Sequence, residues 1–270
     1  MGTLHLVATP IGNLEDISAR ALRTLREARL IAAEDTRLTH KLLSHYDIHT
    51  KLTSYFEHNK LAKLDSILAE LARGDVALVS DAGTPGLNDP GYELVRAALQ
   101  AGHRVSPVPG PASPIAALVA SGLPADSFLY LGYLPRKSAE RKQMLAGVAD
   151  LSHTLVFLET PHRLPGSLAD IQEVLGDRRL AVARELTKLH EEIWRGTVAG
   201  ARTYFREPRG EFVLVLEGKT KEENRKWSEA QLRAAIKQGL QAGEAPSPLA
   251  ARLAAESGWK RREVYQLISS

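Results

Sequence analysis

Val76–Gly91, VALVSDAGTPGLNDPG, is the stretch of sequence that decides the fold. Its first four residues are apolar and predict a buried strand, and helical spacing returns at Tyr92. Between them, Ser80–Pro90 is a loop rich in glycine and proline, whereas an ordinary strand-to-helix turn needs about 2–6 residues. A shaped loop between a strand and a helix is where open α/β sheets bind ligands. The stretch therefore predicts an α/β fold with a ligand site at this strand end.

The residues of this loop narrow the class of ligand. It contains neither the phosphate-binding pattern G-x-x-x-x-G-K-[ST] nor the dinucleotide pattern G-x-G-x-x-G, but it carries Asp81 and Asp89. Carboxylates repel a phosphate and attract hydroxyls, amines and cations. A nucleoside-like or sulfonium ligand is therefore favoured over ATP or NAD.

Strands and helices alternate on both sides of the loop. In the first half, strands are predicted at Thr3–Thr9, Leu30–Ala33, Leu52–Phe56, Val76–Val79 and Arg104–Val108. This alternation indicates a mostly parallel sheet with helices on both faces, and Asp16 and Asn59 are the predicted caps of two of the helices. Since the loops at Pro10, Ser80 and Pro109 all follow strands, they are expected to converge on one crevice.

The second half alternates again after Ser121–Pro124, which marks a predicted domain boundary. Its predicted strands are Phe128–Gly132, Thr154–Leu158, Leu180–Glu185 and Phe212–Glu217, with a short segment near Ile193. A charged linker follows at 219–226, and two short helices joined at Gly258 resemble a helix-turn-helix. The predicted domains are two α/β domains, 1–120 and 121–218, and a helical tail, 226–270.

Composition and charge limit the class of protein. The chain is 44% hydrophobic and 25% charged, as in soluble globular proteins, and it has no cysteine, which excludes disulfides and thiolate catalysis. No apolar run reaches the length of a membrane span and no signal peptide is recognised, so a cytoplasmic protein without a membrane partner is expected. Residues 219–270 carry a net +4 (ten Lys/Arg, six Asp/Glu) and the remainder −1, so an anionic partner is expected at the tail.

Several polar clusters allow both a functional and a structural interpretation. Glu34–Arg37 could cap a helix or form the rim of the crevice, and Arg184–Lys188 could build a pocket with a general base or only a surface ion-pair network. The basic run Arg136–Lys142 is more often a solvated helix face than an RNA groove. His45 and His49 are four residues apart but lack an obvious third ligand, so no metal site is predicted.

Six motifs occur along the chain in this order: TPIGNL, AEDTR, SDAGTPGLNDPG, PGPAS, ETPHRL and RELTKLHEE. Together they resemble the motifs of the tetrapyrrole-methylase superfamily of S-adenosylmethionine-dependent methyltransferases. Within it, they are most similar to the bacterial 16S ribosomal RNA cytidine 2′-O-ribose methyltransferases of the RsmI type. The resemblance covers about residues 4–218, and the tail is similar to that family's helix-turn-helix extension. It implies two α/β domains with a cofactor cleft between them, S-adenosyl-L-methionine as cofactor, a homodimer, and 16S rRNA of the small ribosomal subunit, rather than DNA, as partner.

The resemblance also implies site residues. The expected cofactor-binding residues are Pro10, Gly12, Asp81, Gly83, Thr84, Pro85, Gly110, Ser113 and Leu158. Thr84 stands where the superfamily usually has an aspartate, and Asp81 lies three positions earlier. Candidate general bases are Lys188, Glu185 and His190, and the expected RNA-binding residues are Arg163, Arg184, Lys260, Arg261 and Arg262.

The sequence is compatible with three functions. The leading hypothesis is ribose methylation of small-subunit ribosomal RNA, which the basic tail favours. The second is C-methylation of a tetrapyrrole such as a precorrin or uroporphyrinogen. The third is a non-catalytic RNA-binding assembly protein that retains the fold. The intact glycine-rich loops disfavour this third hypothesis.

Overall fold

The computed structural model describes residues 2–220 and 227–269. Most of the predicted linker, 221–226, and both end residues of the predicted tail, 226 and 270, therefore lie outside the described residues. Within the described residues no helix combines the length and apolarity needed to cross a membrane.

The first half folds into a five-stranded parallel sheet in the order β3-β2-β4-β1-β5. The strands are β1 (Thr3–Val7), β2 (Leu30–Ala33), β3 (Leu52–Ser54), β4 (Val76–Val79) and β5 (Arg104–Val108). The helices between and after them are α1 (Ala19–Glu27), α2 (Thr36–His45), α3 (Lys60–Leu71), α4 (Tyr92–Gln100) and α5 (Ser113–Ala120). The predicted parallel α/β arrangement is confirmed for this half.

The central strand β4 explains why this sheet carries helices on both faces. All four of its residues are at most 1% exposed. Ala77 and Val79 pack into a core with α1 and α2, whereas Val76 and Leu78 pack on the other face with α3 and α4. Because side chains alternate along a strand, an uninterrupted apolar run requires a hydrophobic layer on each side.

The second half forms a mixed sheet in the order β6-β7-β10-β8-β9. Its strands are β6 (Phe128–Tyr133), β7 (Thr154–Glu159), β8 (Arg179–Arg184), β9 (Glu192–Thr197) and β10 (Phe212–Leu216), and its helices are α6 (Ser138–Gly147), α7 (Leu164–Leu175) and α8 (Val198–Tyr204). β6 and β7 are parallel, but β10 is antiparallel to β7 and β8, and β9 is antiparallel to β8. The alternation of elements thus did not predict strand direction here, and α8 was not predicted.

Two helix starts differ from the sequence prediction. Asp16 does not cap α1, because the chain makes a 3₁₀ turn at Leu14–Asp16 and is extended at Ile17. Ser18 is the cap instead, since its hydroxyl accepts a hydrogen bond from Ala21 N at 3.0 Å. Asn59 does precede α3, but its side-chain oxygen accepts from Phe56 N at 2.8 Å and makes no capping bond to the helix.

The chain forms two compact units. One contains both sheets (Met1–Ala149 and His153–Gly218), and the other contains Asp150–Ser152 and Lys219–Ser270. The division of the first 218 residues into two domains stays a prediction.

The tail has three helices, α9 (Glu229–Gln241), α10 (Pro246–Ser257) and α11 (Arg261–Ser269), around a small core that includes Leu232, Leu249 and Val264. The predicted helices on either side of Gly258 are thus present, and this glycine has a left-handed φ of 69°.

Candidate active site

The loops after β1 and β4 are joined by a short backbone bridge. Thr9 N donates to Gly83 O at 2.9 Å, and Gly83 N donates to Thr9 O at 3.1 Å. The hydroxyl of Thr9 also donates to Ser80 O at 3.2 Å. Gly83 has a φ of +83°, which a residue with a side chain rarely adopts. The glycine thus allows the β4 loop to turn back onto the end of β1.

The loop after β5 joins the same cluster. Thr84 Oγ1 donates to Pro111 O at 3.2 Å, which links the β4 loop to the PGPAS motif. Gly110 packs so closely on Ala8 that an added Cβ would lie 2.9 Å from the Ala8 methyl. The three loops therefore converge at one edge of the first sheet, as expected from their positions at strand ends.

These loops and the second sheet together line a cleft of about 270 Å³. Five of the nine predicted cofactor residues line it, namely Asp81, Gly83, Thr84, Ser113 and Leu158. The other four, Pro10, Gly12, Pro85 and Gly110, are not among the lining residues. Gly110 instead packs against Ala8, next to the loop after β1. The first wall also contains Ile11, Glu34, Ala82, Leu87, Asn88, Asp89, Ala112 and Pro114.

The second wall contains residues that the sequence analysis missed. Tyr130, Tyr133, Glu211 and Phe212 all line the cleft, and Tyr130 donates from its hydroxyl to Asn88 Oδ1 at 2.6 Å. Asn88 itself adopts a left-handed φ of 65°. The two tyrosines lie in a strand and Glu211 precedes one, so no glycine-rich loop marked them as site residues.

A close contact between loops also joins the two halves beside the cleft. A Cβ added to Gly12 would lie 2.4 Å from Lys188 Cγ, 2.8 Å from Thr187 Oγ1 and 2.9 Å from Leu186 O. Any side chain at position 12 would therefore push this loop away from Leu186, which lines the cleft. Gly12 shapes the site without lining it.

The cleft is acidic. Glu34, Asp81, Asp89, Glu159 and Glu211 line it, and among the described residues none of those that line it is Lys, Arg or His. Burial raises the pKa of Glu34 to about 6, with further contributions from the negative charges of Asp89 and Asp81. Burial also raises the pKa of Asp89, and Asp81 adds to that effect. Asp81 Oδ1 accepts from Asp35 N at 2.8 Å, which holds this carboxylate at the cleft wall.

Replacing Glu34 with glutamine is expected to stabilise the protein by about 1 kcal/mol at pH 8. Because the pKa of folded Glu34, about 6, exceeds the ordinary 4.5, folding opposes ionisation and stability is lost as the pH rises through 6. The difference between these two pKa values corresponds to about 2 kcal/mol of folding free energy. We expect half of that energy, because solvent screens the charge of a partly buried side chain.

Urea unfolding at several pH values measures this effect. The gain should shrink toward zero as the pH falls to about 4, where the carboxyl is protonated in both the folded and the unfolded state. Glu15→Gln, on an exposed residue, is the control. A gain that does not depend on pH would contradict this explanation.

The three candidate bases lie outside the lining of the cleft. Lys188 Nζ contacts Glu185 Oε1 at 3.0 Å and Glu211 Oε2 at 2.9 Å, while His190 is exposed. Burial alone would lower the pKa of Lys188, but the hydrogen bonds that its amine donates to Glu211 and Glu185 outweigh burial and raise this pKa. The backbone N–H of Glu211, with the Lys188 amine, lowers the pKa of Glu185. Lys188 is therefore a persistent cation and Glu185 a weak proton acceptor.

Arg163 and Arg184, predicted to hold RNA, have partners within the protein. Arg163 Nε lies 3.1 Å from the buried carboxylate of Glu159, an ion pair without the alignment of a hydrogen bond, and Arg163 Nη2 donates to Leu134 O. Arg184 Nε donates to Arg209 O at 2.7 Å, and its Nη1 lies 3.3 Å from Glu192 Oε2. These contacts position strand-end loops, so RNA binding by either residue stays a prediction.

The three predicted RNA-binding residues of the tail are exposed at the start of α11. Lys260 N donates to Glu263 Oε2 at 3.0 Å, and Arg261 Nη2 donates to Ser247 Oγ at 3.0 Å. Glu263 thus satisfies one backbone N–H at the helix start. Within the described part of the chain no group of three His, Asp or Glu side chains could hold a metal ion.

Comparison with known proteins gives matches along nearly the whole chain. Residues 3–201 match the family described as Tetrapyrrole (Corrin/Porphyrin) Methylases. The Ribosomal RNA small subunit methyltransferase I of Synechocystis sp. is 48% identical, with 99% of this chain and 97% of that protein covered. The protein of the same name from Bacillus subtilis is 42% identical, with 98% and 93% covered.

Solved structures share the fold. A uroporphyrin-III-C-methyltransferase from Thermus thermophilus superposes with a TM-score of 0.56 and 24% identity, covering 80% of this chain and 94% of that one. The methyltransferase CobJ superposes with a TM-score of 0.62 and 18% identity, covering 81% and 95%. At these identities the likeness shows the fold alone.

Proposed function

The chain belongs to the tetrapyrrole (corrin/porphyrin) methylase family, and we propose that it uses S-adenosyl-L-methionine to methylate the 2′-hydroxyl of a cytidine ribose in 16S ribosomal RNA. The similarity to proteins named Ribosomal RNA small subunit methyltransferase I, at 42–48% identity over nearly the full length, supports the substrate class. The basic tail supports an RNA partner as well. Such a substrate implies a cytoplasmic location.

The acidic cleft is the observation that carries the cofactor assignment. S-adenosylmethionine presents a sulfonium, an ammonium and ribose hydroxyls, and the carboxylates of Asp81, Asp89 and Glu34 can attract or accept hydrogen bonds from such groups. Apolar side chains such as Leu158 and Leu186 can cover a purine ring. The residues present therefore fit this cofactor better than a phosphate-rich one.

The chain's own residues would contribute mainly by positioning. When bound, S-adenosylmethionine supplies an activated methyl group, and holding an acceptor in line can contribute about 7–11 kcal/mol. A general base adds about 10²–10⁴-fold. Among the cleft carboxylates, Glu34 and Asp89 have raised pKa values and are better suited to accept the hydroxyl proton than Lys188 or Glu185. His190 keeps its predicted role only if it moves to the cleft.

Transfer of labelled methyl from S-adenosylmethionine tests the function. Small ribosomal subunits, free 16S RNA and a uroporphyrinogen should be offered separately, and nucleosides from labelled RNA should be analysed by mass spectrometry. We expect label on a cytidine 2′-oxygen and none on the tetrapyrrole. Label on a base or on the tetrapyrrole would refute the proposal, and RNA binding without transfer would favour the assembly protein.

We infer further that Lys260, Arg261 and Arg262 bind the phosphates of RNA. Three cations at a helix start are repelled by the positive end of the helix dipole. An RNA phosphate bound there would offset this repulsion. Changing all three to alanine should flatten the slope of log affinity against log salt by roughly 2, at about 0.7 per contact with single-stranded RNA. Binding of S-adenosylmethionine should not change, because none of these three residues is among the lining residues of the cleft. An unaltered salt slope would rule this role out.

A homodimer is also part of the proposal, because the sequence resembles a family whose members are usually dimers. Sedimentation analysis of the full chain measures this directly. A monomer at micromolar concentration would contradict it.

A further inference from the structure

The second sheet brings four loops to the edge that borders the cleft. Phe212 pairs with both Glu159 and Arg184, and Glu192 also pairs with Arg184. Since Tyr133 pairs with Leu158, β6 ends at this edge too. The ends of β6, β7 and β8 and the starts of β9 and β10 therefore coincide. We call the loops at this edge, 134–137, 160–163, 185–191 and 205–211, the rim loops.

An RNA substrate poses an electrostatic problem at this cleft. The five acidic residues that line it repel phosphates, and none of its lining residues within 2–220 and 227–269 is cationic. A ribose can enter such a cleft, but the phosphates on either side of it need cations outside. Because affinity for RNA comes largely from phosphate contacts, those cations should lie at the mouth of the cleft.

Three cations of the rim loops, Lys137, Arg163 and Lys188, and the neighbouring Arg184 at the end of β8 are already paired within the protein. Arg163, Arg184 and Lys188 contact Glu159, Glu192 and the Glu185–Glu211 pair, respectively. Lys137 lies 3.1 Å from Glu140. Releasing any of these groups to bind a phosphate would leave a carboxylate without its partner.

A further rim-loop arginine, Arg206, lines a separate cavity together with Arg202. The two rim-loop arginines beside the cleft wall, Arg136 and Arg209, differ from the paired residues. Both are exposed, and within residues 2–220 and 227–269 neither guanidinium has a hydrogen bond or ion pair. Their backbones are nevertheless anchored, because Arg136 O accepts from Arg141 Nη1 at 3.3 Å and Arg209 O accepts from Arg184 Nε at 2.7 Å. The structure therefore holds the main chain at both positions while leaving the charge available.

Both residues are close in sequence to residues of the cleft wall. Arg136 is three residues beyond Tyr133, and Arg209 is two residues before Glu211. They come from loops that flank different strands of the same edge, so they can contact different phosphates. A planar guanidinium suits this task because it offers paired N–H donors to phosphate oxygens.

We propose that Arg136 and Arg209 bind the phosphates of the RNA strand at the mouth of the cleft and thereby position the ribose for methylation. This inference rests on the proposed RNA substrate. It also assigns a role to the Arg136–Lys142 run: Arg136 is a ligand-binding cation, whereas Arg141 is buried and paired with Asp170 at 2.5 Å.

The double variant Arg136→Ala/Arg209→Ala tests this proposal. Its salt slope of RNA binding should flatten by roughly 1.4, and its RNA affinity should fall roughly tenfold at physiological salt, since each lost contact removes about 0.7 from the slope. KM for RNA should rise in step while the affinity for S-adenosylmethionine stays unchanged. Arg136→Lys/Arg209→Lys, which keeps both charges, should restore most of the salt slope.

Arg23→Ala is the matched control. Arg23 is an exposed arginine of α1 beside a separate cavity near His5, and no residue is shared between that cavity and the cleft. If the double variant keeps the salt slope and KM of this control while the wild type methylates RNA, the inference is wrong and the proposed function stands. If the wild type does not methylate RNA, the proposed function itself fails.

Discussion

Gly83→Val is expected to weaken the binding of S-adenosylmethionine 10- to 100-fold. Gly83 lines the cleft at the junction of three loops, and an added Cβ would point toward Ile11 Cγ2 at 3.4 Å and Pro111 O at 3.7 Å. Overfilling a packed site typically costs 1–3 kcal/mol, and 1.4 kcal/mol corresponds to tenfold in affinity. The left-handed φ of +83° adds backbone strain for a branched residue.

Gly86→Val separates the loss of ligand space from backbone strain. Gly86 lies in the same loop with a φ of +82°, but an added Cβ would meet no atom within 4 Å, and the residue does not line the cleft. Both variants should therefore lose similar stability, about 1–3 kcal/mol, while Gly86→Val keeps its affinity for the cofactor within about twofold. Calorimetric titration and thermal unfolding of both proteins measure these effects. An equal loss of affinity in both would show that strain alone is responsible.

Glu159→Ala is expected to destabilise the protein by about 3 kcal/mol. The side chain of Glu159 is fully buried and accepts from Thr160 N at 2.9 Å and Ser167 Oγ at 2.5 Å. Its removal would leave Arg163 without a counter-charge, and breaking a buried ion pair on one side typically costs 3–5 kcal/mol. We expect the lower end of that range because the Arg163 side chain is 22% exposed.

Two further variants define the cause of this loss. Glu173→Ala, which breaks the exposed pair between this residue of α7 and Lys142, should cost less than about 1 kcal/mol. Adding Arg163→Met to Glu159→Ala should recover part of the loss, because it removes the uncompensated charge. Urea unfolding is the measurement. A cost for Glu159→Ala no larger than that for Glu173→Ala would contradict the role assigned to this buried carboxylate.

Local sequence patterns determined the first sheet and one wall of the cleft. Strands such as β2 and β4 are short apolar runs between turn residues, and their burial on both faces follows from that composition alone. The glycine- and proline-rich loops at their ends lie where parallel strands must bring them. For that reason the sequence alone predicts that Asp81, Gly83, Thr84 and Ser113 lie at the cleft, where the structure has them.

Only the tertiary structure decided which residues form the second wall of the cleft and which of the nearby arginines are paired with carboxylates. Strand direction depends on pairing between distant segments, so the antiparallel insertion of β10 between β7 and β8 has no local signature. That insertion places Glu211 and Phe212 at the cleft. Likewise, an arginine in a sequence carries no sign of whether a carboxylate lies beside it in the fold. Only the packed loops show that Arg163 and Arg184 are paired, whereas Arg136 and Arg209 have no side-chain partner in the described part of the chain.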